Sequence, residues 1–105
     1  MKIPIVTTKK ATVLVVDDQR TVIKLMERML SDEYTVLTAK SGKSAIETAR
    51  MKLPDIILLD TVMPEMSAIE VCQLLRKDPM TCAIATCYLS DPTKIREQTK
   101  ALLSV

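Results

Sequence analysis

Histidine is absent from this 105-residue sequence. Its absence removes the usual general base of serine and cysteine hydrolases and the commonest nitrogen ligand of zinc. The cysteines, Cys72, Cys82 and Cys87, are odd in number and irregularly spaced, which argues against both a zinc site and a disulfide framework. Cys72 and Cys87 sit in apolar patterns and read as small core residues. An excess of charge is lacking too: Lys and Arg number 15 against 13 Asp and Glu, and a net charge of +2 gives no electrostatic case for nucleic acid. Lys9-Lys10 reads as a solvated lead-in to a strand. No apolar stretch approaches the roughly 20 residues that span a bilayer, and the start, Met1 to Val6, lacks the apolar core of a signal peptide. The expectation is a cytoplasmic protein without nucleic-acid or membrane partners. Glycine is nearly missing; the only one, Gly42, is expected to permit the turn before a helix.

Against these absences, 48% of the residues are hydrophobic, enough for one domain around a single core. Val13–Val16 reads as a strand, and Arg20–Leu30 as an amphipathic helix with apolar Val22, Ile23, Met26, Met29 and Leu30. The methionines in it, Met26 and Met29, are expected to fill core space. Tyr34–Ala39 is a second strand. Ser41-Gly42 opens a helix with Ala45, Ile46 and Ala49 on one face, ending before Pro54. Asp55–Leu59 is the third strand. Ala68–Arg76 is a helix with Ser67 as N-cap, Glu70 at capping-box spacing, and an expected buried stripe of Ile69, Cys72 and Leu74 or Leu75. Asp78-Pro79 breaks it. Ile84–Leu89 is the fourth strand, and Asp91-Pro92 caps a last helix through Leu103. Such alternation predicts an α/β fold, with right-handed crossovers placing helices on both faces of a parallel sheet.

The chemistry lies at two strand ends. Asp17 and Asp18 directly follow Val13-Leu14-Val15-Val16, and Asp60 directly follows Ile56-Ile57-Leu58-Leu59. Unbroken aliphatic runs are the mark of strands buried on both faces. If the two strands are parallel, three carboxylates meet at the carboxyl edge of the sheet, where open α/β folds bind ligands. Three like charges that close call for a hard divalent cation, Mg²⁺ or Mn²⁺. The pattern points to a metal-assisted phosphoryl site.

These runs, followed by Thr61-Val62-Met63-Pro64, together resemble the receiver domain of two-component response regulators from about residue 12 to the chain end. Leu37 to Ala45 is similar to the family's second strand leading into its second helix, and Glu70 to Arg76 to its third helix. The resemblance implies a flavodoxin-like, doubly wound sheet of order 2-1-3-4-5. It implies that Asp60 accepts a phosphoryl group from a phosphohistidine or small donor, and that Asp17, Asp18, Asp60 and the Val62 backbone carbonyl hold Mg²⁺. Ser90, ending the fourth strand, fills the family's switch-hydroxyl position. The implied partner is a histidine kinase or phosphotransfer protein, and the implied role is that of a non-enzymatic phosphoacceptor.

The sequence also departs from the family. Ala68 stands where a glycine is usual and Ser67 where an acidic residue is usual, so the loop beside the site is expected to be reshaped. Asp91 follows Ser90 in place of a small residue, and Ala85 replaces a frequent proline. The fifth strand, its active-site lysine and the fifth helix have no counterpart, and no residue is assigned to that lysine. The expected organisation is a lead-in, 1–10, and a C-terminally truncated receiver, 11–105, with four strands. Slow or incomplete phosphorylation is expected from the missing positive charge. The opposing reading is a degenerate, non-phosphorylated receiver kept as an interaction or dimerisation module. A haloacid dehalogenase-type phosphatase would need Asp where Val62 stands. An unprotected fourth strand and an uncovered sheet face beside the first helix lead to an expected homodimer, through that strand or by exchange of the last helix. A rearranged last helix covering the gap, or a bound partner chain, is the other expected solution.

Overall fold

In a computed structural model, which describes residues 10–60, 63, 65–89 and 91–103, the two apolar runs form the middle of a four-stranded parallel sheet. β1 (Thr12–Val16) is followed by α1 (Arg20–Leu30), β2 (Thr35–Ala39), α2 (Gly42–Lys52), β3 (Ile56–Asp60), α3 (Ala68–Lys77) and β4 (Ala85–Leu89). A 3₁₀ turn, Pro92–Lys94, then leads into α4 (Ile95–Leu103). The strand order is β2-β1-β3-β4. Val13 to Val16 and Ile56 to Leu59 are sealed from solvent on both faces because helices cover each. β2 and β4, at the edges, are buried only toward their ends. The register, Val16 beside Leu59 and Asp60 beside Leu89, brings the carboxyl ends of β1, β3 and β4 to one edge.

The period of two in the strands sorts the core into two layers. Leu14, Val16, Ile57 and Leu59 face α2 and α3, meeting Ala45, Ala49, Ala68, Val71 and Leu75. Val13, Val15, Ile56 and Leu58 face the other way, meeting Met26 and Leu30 of α1 and Ile95 of α4. The last helix thus folds back beside α1 and covers the face that the sequence left in question.

Both α2 and α3 begin in reciprocal capping boxes. Ser41 accepts from the Ser44 N–H, and Ser67 from the Glu70 N–H, while Ser44 and Glu70 accept in return from the cap backbones. Each such cap is worth about 1 kcal/mol. Three expectations are corrected. The stripe of α3 is Ala68, Val71 and Leu75, whereas Ile69 and Leu74 are 60% and 44% exposed. Ser67 as N-cap fixes the helix phase, and residues three and four apart from Ala68 then face inward. Cys72 and Cys87 are only half-buried, since each lies at the β4 margin of its layer. Gly42 needs no special backbone conformation, having no positive φ. A Cβ there would lie 2.8 Å from both Met66 Sδ and Val71 Cγ2, so its role is close approach of α2 to α3.

Candidate functional site

Each carboxylate is positioned by the end of a buried strand. Asp17 directly follows β1; its N–H donates to the Ala39 carbonyl at 3.1 Å, which ties the end of β1 to that of β2. Its carboxylate accepts the Gln19 N–H at 2.8 Å, fixing the side chain over the start of α1. Asp60 is the last residue of β3 and is half-buried, while Asp18 is exposed. The three side chains offer oxygens that all lie within 4.8 Å of one another. The sequence-predicted triad is therefore assembled.

Its electrostatics are those of clustered carboxylates. Burial is the largest influence raising the Asp17 pKa, and the charges of Asp60 and Asp18 raise it further, against the Gln19 N–H bond that lowers it. A divalent cation among the three oxygens would supply an opposite charge beside Asp17, and an all-oxygen donor set suits Mg²⁺ or Mn²⁺. The residues present fit such an ion.

Around the triad, Met63 is buried in the α2/α3 layer. Glu65 adopts a left-handed φ of 71°, a conformation that favours glycine. Ala68, expected to reshape the loop, is the buried first residue of α3 with ordinary helical backbone, so no glycine is needed there. Val62 and Ser90, the expected carbonyl ligand and switch hydroxyl, lie outside the described residues, as does Pro64. The orienting Gln19 N–H was not anticipated, because a backbone donor leaves no mark in a sequence. Asp91 caps the following turn, accepting from the Thr93 N–H and hydroxyl; these bonds lower its pKa.

The fold and site define an α/β module with an acidic pocket at the carboxyl edge of its sheet. The profile described as the response regulator receiver domain matches residues 13–102, and the chain belongs to that family. The response regulator PleD of Caulobacter vibrioides is 47% identical over 72 residues, 68% of this chain and 16% of that protein. Histidine kinase P4 of Formosa agariphila is 31% identical over 87 residues, 83% of this chain and 6% of that protein. The chain thus spans a small part of these relatives' length. The N-terminal domain of a response regulator receiver protein from Methanoculleus marisnigri superposes with a TM-score of 0.73 at 31% identity, covering 84% of this chain and 76% of that one. The chain is a receiver domain of the response regulator type found in two-component signalling. Among the described residues, no helix is long and apolar enough to cross a membrane.

Proposed function

We propose that residues 11–105 act as a phosphoacceptor in a two-component phosphorelay, with Asp60 as the nucleophile. The observation that carries this reading is the convergence of Asp17, Asp18 and Asp60 oxygens within 4.8 Å. An oxygen of Asp60 attacks the phosphorus of a phosphohistidine on a kinase or phosphotransfer protein. The new O–P bond forms as the N–P bond breaks, and the imidazole leaves with the electron pair. Asp17, Asp18, Asp60 and the Val62 carbonyl are the proposed holders of Mg²⁺ or Mn²⁺. That ion would neutralise charge on the transferring oxygens. Gln19 holds Asp17 in place, and Ser90 is the proposed hydroxyl that turns toward the phosphoryl group. Assembly of the whole triad favours this reading over an interaction-only receiver.

Mass spectrometry after incubation with acetyl phosphate and Mg²⁺ tests the acceptor. One phosphoryl group is expected on the wild type and none on Asp60→Asn; undiminished labelling of Asp60→Asn would sink the assignment. Thermal melting tests the metal. With its pKa raised in the fold, Asp17 binds more protons folded than unfolded just above the usual carboxylate range. Its contribution to metal-free stability therefore falls as pH rises through that window. Millimolar Mg²⁺ at pH 7 is expected to raise Tm by linkage. Asp17→Asn is expected to melt higher than wild type without metal and to lose most of the Mg²⁺ shift.

A further inference from the structure

The line of residues across the sheet that holds Asp17 and Asp60 also holds a cation. Thr38, Val15 and Leu58 are partners across β2, β1 and β3, and Val15 and Leu58 face the α1 side of the sheet. Side chains repeat every two residues along a strand, so the next row on that face is Lys40, Asp17 and Asp60. The ladder reaches that far. The Asp17 N–H donates to the Ala39 carbonyl at 3.1 Å, and in a parallel pair an N–H bonds to the residue before its partner, which makes Lys40 the partner of Asp17. Lys40 is also fixed on both sides: β2 ends at Ala39, and Ser41 caps α2 in a closed capping box.

Neighbouring strands lie about 4.8 Å apart, less than the reach of a lysine's four-carbon stem. The Lys40 ammonium therefore has the Asp17 carboxylate within range, with Asp18 next along the chain. Asp17 is only 4% exposed, so its charge is the least screened by water of the three carboxylates. Lys40 itself is exposed, and the ion pairs among the described residues are Arg50 with Asp78 and Arg96 with Glu33. Its charge is thus tethered beside the pocket without being committed to another carboxylate.

We propose that Lys40 is the internal competitor of the divalent cation. Its ammonium offsets the charge of Asp17 and Asp18 while the pocket holds no metal, and gives way when Mg²⁺ enters. This role rests on the metal site proposed above and adds the residue that sets its affinity. Affinity at oxygen-donor sites follows the number of ligand charges, and a cation in the same row subtracts from that number. The pocket then fills at a higher Mg²⁺ concentration than three carboxylates alone would require.

Position, rather than net charge, singles out Lys40. Arg20 and Lys43 are exposed cations at the same edge of the sheet, but they lie in the first turns of α1 and α2, past the strand ends. Neither stands in the row with Asp17 and Asp60.

Calorimetric titration of the full chain with MgCl₂ at pH 7 is the experiment, first at low ionic strength and then in about 1 M KCl, where the screening length is about 3 Å. At low salt Lys40→Met should bind Mg²⁺ about fivefold more tightly than wild type, the change that one ion pair at about 4 Å in water represents. Lys40→Glu, which adds a carboxylate to the row, should bind more tightly still. Lys40→Arg keeps the charge and should match wild type, as should Lys43→Met. In high salt the gap between Lys40→Met and wild type should close. Without metal, Lys40→Met should melt below wild type, because the triad has lost its counter-charge. An affinity of Lys40→Met equal to wild type or weaker, an equal gain in Lys43→Met, or a gap that survives high salt overturns the role of Lys40 while sparing the metal site. Absence of Mg²⁺ binding in wild type and Lys40→Met alike, or undiminished binding by Asp17→Asn, overturns the metal site and the role of Lys40 together.

Discussion

The two faces of the sheet are built differently. On one, α2 and α3 start in capping boxes and pack through small residues, Gly42, Ala45, Ala49 and Ala68, which let them approach the strands and each other closely. On the other, α1 begins at Gln19 with no side-chain cap bond. α4 there follows a 3₁₀ turn, and Thr99 is fully buried with no hydrogen-bond partner for its hydroxyl among the described residues. Only Ile95 and Thr99 of α4 are fully buried; Leu102 and Leu103 are partly covered. The first face is a fitted one, in which each helix end and contact is specified. The second is covered by a helix held with less. Closing an apolar face and fitting it are separate achievements, and this domain has the second on one side only.

Paired truncations put the largest strain on that contrast. Ile57 and Ile95 are both fully buried, one in each layer. Ile57→Ala should cost about 4 kcal/mol and Ile95→Ala about 2 kcal/mol, since α4 can relax into the space left behind. Urea unfolding of both variants is the check. Equal losses would mean that α4 is as tightly integrated as the strands. Gly42→Val comes next, with an expected loss of about 3 kcal/mol from overpacking against Met66 and Val71. Val71→Ala in the same chain should recover part of it, giving a double-mutant coupling that simple loss of helix propensity would not. The smallest effect has the opposite sign. Thr99→Val keeps the shape and removes an unsatisfied hydroxyl, so stability should rise by about 1 kcal/mol. A lower Tm would show that the hydroxyl has a partner after all, and the α4 face would then be better fitted than described.

The site was legible because its residues adjoin the features that position them. Asp17, Asp18 and Asp60 follow aliphatic runs too long and too apolar to be anything but central strands, and parallel pairing then leaves them little choice but to meet. Ser67 and Glu70 announced the start of α3 in the same local way. The buried stripe of α3 was misread because Ile69 and Leu74 are apolar without being inward, and only the helix phase distinguishes them from Val71. Gly42 was misread for a related reason: a glycine needed for its missing side chain looks, in sequence, like one needed for its backbone.

By itself, then, the sequence determined the strands, the caps, the order of elements and the acidic triad, since each depends on neighbours a few residues apart and on hydrophobic periods that local geometry enforces. Which face α4 covers, why Gly42 cannot carry a side chain, and how Lys40 comes to stand beside Asp17 were decided by tertiary structure alone. Those outcomes depend on distances between segments remote along the chain, which packing sets only once both layers have closed on the sheet.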